Sequence, residues 1–272
     1  MQGVSGGFEV VLDVSEVTAS YGPAPVLRGV SARFRAGRVT ALVGPNGCGK
    51  STLLKAVMGF LPVSGGDIRL EGEAIQRIGR RALARRIAYL PQENHCPDYL
   101  TLGELVELSG YARYGLAGGP SERDRRLFRE ALDIVGLADK AAHPVNALSG
   151  GQRQRAWIAM VLAQDTGLIL LDEPVNHLDM KYQYAVLDLV RSLSRDHGRT
   201  IVVVLHDLNL ASAFADDVVM LKDGRVAAAG PAQGAITADT VARVFDLEAD
   251  IFAHGGRLVC LPRPARQEQP SA

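Results

Sequence analysis

Cysteine is scarce in this chain: three among 272 residues, Cys48, Cys96 and Cys260, far apart and with no CxxC pair. That excludes a zinc ribbon and a secreted disulfide framework, and it suits a reducing cytosol. Net charge is missing as well. Thirty Lys plus Arg balance thirty Asp plus Glu, so no overall basic field exists to hold nucleic acid or an anionic bilayer, and partners must be recognised locally. Nowhere do about 18 apolar residues follow one another, the minimum for a spanning helix, so the chain is not expected to cross a membrane. Its start, MQGVSGGFEVVLDV, has no basic stretch before the apolar run and carries Glu9 and Asp13, unlike a secretion signal. Internal repeats and low-complexity blocks are absent too. What is present is apolar content, 47% hydrophobic against 22% charged, enough for a sizeable core in one large domain or two small ones.

Short β-branched runs between turn residues predict strands at Val39 to Val43, Ile87 to Leu90, Leu168 to Leu171, Ile201 to Leu205 and Val218 to Leu221. Most are apolar without alternation, as expected of strands covered on both faces by helices in a mainly parallel sheet. The last run continues through Lys222-Asp223-Gly224-Arg225, where Asp-Gly signals a hairpin and an antiparallel edge. Between Pro91 and Asp165 the pattern turns helical, at Leu102 to Tyr111, Glu122 to Val135 and Gln152 to Gln164, with Gly118-Gly119-Pro120 and His143-Pro144 as loops. The proline-rich end, Pro262 to Ala272, reads as a frayed tail.

Directly after the first of these strands stands Gly44-Pro45-Asn46-Gly47-Cys48-Gly49-Lys50-Ser51-Thr52, a GxxxxGK[ST] phosphate loop in the strand-then-helix setting it requires. Its glycines let successive N–H groups curl around phosphate oxygens, and the following helix adds the positive end of its dipole. Lys50 supplies a point charge, and Ser51 a hydroxyl able to ligate Mg²⁺. A dinucleotide fingerprint would need glycine where Thr52 stands. Alkylation of Cys48 is expected to block the loop by bulk.

Leu168 to Leu171 ends in Asp172-Glu173, two carboxylates at the strand's carboxyl end, where open α/β sheets bind ligands. Asp172 suits the Mg²⁺ shell, and Glu173 suits polarising a water for attack on a γ-phosphate. Further upstream, Leu148-Ser149-Gly150-Gly151-Gln152 opens a helix, with Ser149 and Gln152 spaced as a capping box. Two glycines in a first turn cost about 1 kcal/mol each against alanine, which implies a close approach of the backbone to something.

Together, the phosphate loop, the later LSGGQ, the LLLDEP-type carboxylates and a downstream histidine resemble the nucleotide-binding subunit of an ATP-binding cassette (ABC) transporter, from roughly Phe8 to Leu247. The resemblance implies an α/β P-loop NTPase (RecA-like) core with a mainly parallel sheet, an antiparallel β portion and an inserted all-helical subdomain. Its expected boundaries are a core of 8–92 and 165–247, a helical subdomain of 93–164, and a partly flexible C-terminal extension at 248–272. ATP and Mg²⁺ are the implied cofactors. Two cassettes pack head to tail in that family, so Ser149, Gly150, Gly151 and Gln152 would contact ATP held by the partner's phosphate loop. Tyr21, in Ser20-Tyr21-Gly22, looks like the aromatic that stacks on adenine, worth about 1–3 kcal/mol. Gln92 resembles the glutamine that touches Mg²⁺ or the attacking water and joins the helical insertion to the core. His206, in VLHDLN, resembles the switch histidine at the γ-phosphate, and Asp179, in Asn176-His177-Leu178-Asp179, the aspartate that links the two cassettes.

SGGQRQRAWIAMVLAQ and VLHDLNLASAFAD are similar to ATPase subunits of bacterial ferric-siderophore importers, a group that includes haem and cobalamin importers. This implies a translocating ATPase at the cytoplasmic face of the inner membrane, partnered by a second cassette, two permease subunits and, indirectly, a periplasmic or lipoprotein substrate-binding protein. No nucleic acid is expected. Val175 and Asn176 stand where threonines are common in that group, and residues 93–99 look individual. A soluble, non-transport ABC ATPase is the other reading; it usually carries paired cassettes or coiled-coil inserts, which are missing here. Arg77, Arg80, Arg81, Arg85 and Arg86 read as a solvated helix face, Trp157 as core, and His95 with Cys96 as no metal site.

Overall fold

The computed structural model describes residues 9–114, 118–176 and 178–263. His177 and residues 264–272 of the expected frayed tail lie outside the described residues.

A six-stranded sheet lies at the centre, built from β3 (Val39–Val43), β6 (Ile87–Leu90), β7 (Leu168–Leu171), β8 (Thr200–Val204), β9 (Asp217–Lys222) and β10 (Arg225–Pro231), in the order β10-β9-β3-β8-β7-β6. Its five strands from β9 to β6 are parallel. The edge strand β10 returns antiparallel through Asp223 at φ 50° and Gly224 at φ 75°, the paired left-handed turn that an Asp-Gly step favours. Every residue of β3, β7 and β8 is buried. Leu42, Leu170, Val202 and Val204 face one core, while Ala41, Val43, Ile169, Leu171 and Val203 face the other. That two-sided burial is why these runs carry no polar alternation. Each of the valine, leucine and isoleucine side chains among them contributes about 1.5–3 kcal/mol.

On one side, α1 (Lys50–Val57) lies between the central sheet and a four-stranded antiparallel sheet of β1 (Val10–Ala19), β2 (Leu27–Arg35), β4 (Val63–Leu70) and β5 (Glu73–Ala74). The sequence reading anticipated an antiparallel portion but named none of these strands. The period-2 signal of β1 is broken at Glu16, where φ is 52° and the register shifts between Val14 and Val17. A bulge there displaces the pleat, and the facing Gly66 is required, since a Cβ would lie 2.3 Å from the Glu16 carbonyl oxygen.

The other side carries α6 (Met180–His197), α7 (Leu208–Phe214), α8 (Ala232–Ala235), α9 (Ala238–Phe245) and the helical insertion. Within the insertion, α3 (Leu102–Leu108) is shorter than predicted and tightens into a 3₁₀ turn at Ser109–Ala112. Next come α4 (Glu122–Ile134), capped by Ser121 and Asp124, and α5 (Gly150–Ala163), capped by Ser149 and Gln152. Trp157 packs in this core, as expected. Arg113 ties the layer together, pairing with Asp124 at 2.7 Å and donating to the Ala163 and Gln164 carbonyls at the end of α5.

Arg77, Arg80, Arg81 and Arg85, on and around α2 (Arg80–Leu83), are exposed, as a solvated face requires, but some of the cluster also finds partners. Arg81 and Arg85 donate to the Ala112 carbonyl, at 3.0 and 2.8 Å, and Arg86 pairs with Glu73 and Glu71. Arg81 and Arg85 find a partner because the end of the 3₁₀ turn presents a bare carbonyl beside them.

Residues 249–262, expected to be part of a C-terminal extension, form a hairpin of β11 (Ala249–His254) and β12 (Arg257–Pro262). It turns at Gly255 and Gly256, both at positive φ. Asn209 on α7 seals it by accepting from the Cys260 N–H at 2.7 Å and donating to the Cys260 carbonyl at 3.2 Å.

Candidate nucleotide-binding site

The loop between β3 and α1 takes its shape from glycine. Gly44 is at φ 148°, Gly47 at 77° and Gly49 at 108°. A Cβ on Gly44 would lie 2.2 Å from the Leu221 carbonyl oxygen, and one on Gly49 would lie 2.8 Å from Leu27. No other residue closes this cradle. Lys50 folds back over it, donating to the Gly44 and Pro45 carbonyls at 2.9 and 3.0 Å. Cys48 is 4% exposed, and burial pushes its thiol up, against the pull of Lys50. The neutral thiol is a poor nucleophile, so the predicted alkylation is expected to be slow.

Across the sheet, Ser51 Oγ donates to Asp172 Oδ1 at 2.9 Å, and the Tyr89 hydroxyl donates to Asp172 Oδ2 at 3.3 Å. Burial pushes the Asp172 carboxyl up, the Ser51 hydrogen bond opposes it, and Glu173 adds to it. Burial also raises the Tyr89 phenol, with Asp172 next in weight. A hydroxyl and a carboxylate held this close are hard oxygen donors of the kind Mg²⁺ selects, so the residues present fit that ion.

Glu173 follows at φ 56°, in the left-handed region. This is a strained conformation for glutamate. Its carboxylate accepts from Gln92 Nε2 at 2.7 Å and from the Asn176 amide, and pairs with His206 Nε2 at 2.6 Å. Gln92, expected in a metal shell, is thus bound to Glu173 in this structure. An open cleft of about 750 Å³ joins the loop to Gln92, Glu173, Asn176 and His206. Asn46, Gly47, Gly49, Lys50, Ser51 and Thr52 line it as well.

Other predicted site residues lie away from that cleft. Tyr21 is 60% exposed, with Lys55 Nζ 5.9 Å from its ring centroid. Ser149 and Gln152 close the capping box at the start of α5, and Gly150 has nothing within 4 Å of a Cβ position. Gly151 is the glycine whose backbone is closely approached: a Cβ would lie 2.7 Å from the ring of Tyr182. Asp179 is exposed at the start of α6 and makes no side-chain capping bond. Cys96 and His95 belong to no cluster of metal-ligating side chains among the described residues.

Sequence reasoning gave no role to Asn176 or Tyr89. Tyr89 lies on a strand three residues before Gln92, and Asn176 lies three after Glu173; both spacings were visible, but nothing local says which side chain turns inward.

Comparisons with known proteins give the family. Residues 27–176 match the ABC transporter family. The petrobactin import ATP-binding protein FpuD of Bacillus anthracis is 42% identical over 92% of this chain and 93% of its own. The iron(3+)-hydroxamate import ATP-binding protein FhuC of Bacillus subtilis is 40% identical over 92% of this chain and 94% of its own. Among solved structures, a dimeric ATP-binding cassette in a post-hydrolysis state with ADP and Pi superimposes with a TM-score of 0.71 at 30% identity, covering 81% of this chain and 98% of that one. With the phosphate cradle and both carboxylates in place and relatives aligned along nearly their whole length, the chain belongs to the ABC transporter family and is one of its ATPase cassettes.

Proposed function

We propose that this chain powers import of a ferric siderophore, working at the cytoplasmic face of the membrane as a head-to-tail pair beneath two permease subunits. The observation that carries the reading is the full-length likeness to ATP-binding proteins named for petrobactin and iron(3+)-hydroxamate import. Supporting the pairing, Asp179 and the exposed N-terminus of α5 do not line the cleft on their own chain and are accessible to a second copy.

The chain's residues divide the work. The N–H groups of residues 46–52 and Lys50 bind the phosphates, and Lys50 must first leave the Gly44 and Pro45 carbonyls. Ser51 and Asp172 would hold Mg²⁺, whose charge, when bound, offsets that developing on the terminal phosphates. Glu173 takes a proton from water as that water's oxygen bonds the γ-phosphorus; the bond to the bridging oxygen breaks and its electron pair leaves with ADP. Tyr21 offers its exposed ring to adenine. Gln92, bound to Glu173 and leading into the helical insertion, passes the change in contacts to the permeases. Because each nucleotide would touch both copies only when the pair is closed, binding favours closure and hydrolysis releases it.

The test is to co-purify the chain with its permease subunits in liposomes and measure ATP hydrolysis with ferric siderophores, haem or cobalamin, each on its binding protein. Several-fold stimulation by a ferric siderophore alone is expected. Stimulation by haem or cobalamin instead, or by none of the three, overturns the proposed cargo.

A further inference from the structure

We infer that Asn176 is a positioning residue for hydrolysis: with Gln92 it fills one oxygen of Glu173, Oε2, and leaves Oε1 as the atom that takes the proton from water. This rests on the reading of Glu173 as the general base. The Glu173 side chain is 8% exposed, so few waters compete for its oxygens. A carboxylate only accepts hydrogen bonds, with about two lone-pair sites per oxygen. Both amides must therefore turn their NH₂ groups toward it. Oε2 receives Gln92 Nε2 at 2.7 Å and Asn176 Nδ2, which occupies both of its sites. Among the described residues Oε1 meets His206 Nε2 alone, at 2.6 Å, and so keeps one site open.

The backbone makes this pairing possible. The Asn176 N–H donates to the Glu173 carbonyl at 3.3 Å, closing a turn that brings the two side chains to the same side, and Glu173 enters that turn at φ 56°. Val175, between them, is buried, and its apolar side chain offers no donor. Asn176 itself lines the cleft. Gln92 comes from the segment after β6, whereas Asn176 is on the same turn as the base. If Gln92 moves with the helical insertion, Asn176 is the donor that stays and keeps the carboxylate from rotating.

Single-turnover hydrolysis by the purified full-length chain, with binding of a fluorescent ATP analogue, tests this. Asn176→Ala is expected to slow turnover about ten- to a hundredfold, the loss of one hydrogen bond to a charged group, while nucleotide affinity stays within about twofold. Asn176→Asp, which keeps the shape and removes the donor, is expected to fall at least as low and serves where the alanine variant does not fold. The discriminating measurement is the double variant. Asn176→Ala with Glu173→Gln is expected to turn over no slower than Glu173→Gln alone, because Asn176 acts only through that carboxylate. Wild-type turnover in Asn176→Ala, or an Asn176 effect undiminished by Glu173→Gln, overturns the inference. Wild-type turnover in Glu173→Gln overturns instead the reading on which it rests.

Discussion

Ser51 Oγ and Asp172 Oδ1 lie 2.9 Å apart although they stand 121 positions apart in the chain. Their contact joins the first turn of α1, which follows β3, to the residue after β7, and β8 lies between those two strands in the central sheet. Ser51→Ala removes one hard donor and the hydrogen bond that holds the other. Titrating Mg²⁺ against ATPase rate is expected to show half-activation moved up by about ten- to a hundredfold, with nucleotide binding in the absence of metal little changed.

Glu173→Gln keeps the shape of the base and removes its basicity. Hydrolysis is expected to fall about 10²–10⁴-fold while ATP still binds, so a nucleotide-loaded pair should accumulate on size exclusion. Retained turnover would refute the assignment.

Ser149→Arg addresses the pairing. Ser149 is exposed, so an arginine there has room, at the expense of the Ser149 cap of α5, worth about 1 kcal/mol. Light scattering is expected to show loss of the ATP-induced dimer, with monomer ATP affinity retained. An intact dimer would mean that this surface faces elsewhere.

Gly151→Ala reverses an ordinary helix preference. Alanine normally gains about 1 kcal/mol over glycine in a helix, but here its Cβ would lie 2.7 Å from the Tyr182 ring. Thermal melts are expected to show destabilisation of about 1–3 kcal/mol. Combining it with Tyr182→Ala should make the Gly151→Ala change neutral or favourable. A melt unchanged by Gly151→Ala alone would show that the ring yields freely.

Asp124→Asn tests the clamp between α4 and α5. Burial pushes the Asp124 carboxyl up, but hydrogen bonds from Ser121 and the Arg113 guanidinium outweigh it and hold the carboxyl below its ordinary range. A depressed folded-state value stabilises the fold above the unfolded value near 3.9, and that stability is lost as pH falls through the folded value. Asp124→Asn is expected to cost about 2 kcal/mol at pH 7, since Arg113 keeps the Ala163 and Gln164 carbonyls but loses its counter-charge. In denaturant titrations the gap to wild type should narrow only below about pH 4. A gap that is the same at pH 7 and pH 3 would show that the ion pair does not carry it.

What could be read without coordinates was whatever is written in neighbouring residues. The phosphate loop places its glycines, lysine and serine within nine positions, Gly44 to Thr52, so its chemistry is legible as a string. The central strands were legible because burial on both faces leaves unbroken apolar runs such as Leu168 to Leu171. The turn at Gly255-Gly256 was an equally local signal for the hairpin of β11 and β12, but it sat in a segment read as an extension. By contrast β1 was obscured by the bulge at Glu16, which breaks the alternation that marks a half-buried strand.

The amino-acid order alone thus determined the fold class, the phosphate cradle and the two carboxylates, because covalent spacing and side-chain polarity suffice for each. Only the tertiary structure decided that the exposed Arg81 and Arg85 also bond the 3₁₀ turn, that Tyr182 sits against Gly151, and that Gln92 and Asn176 share one oxygen of Glu173. Gln92 and Glu173 are 81 residues apart. Which distant donors reach a given acceptor depends on how sheet and helices bring them together, and local pattern carries no record of that.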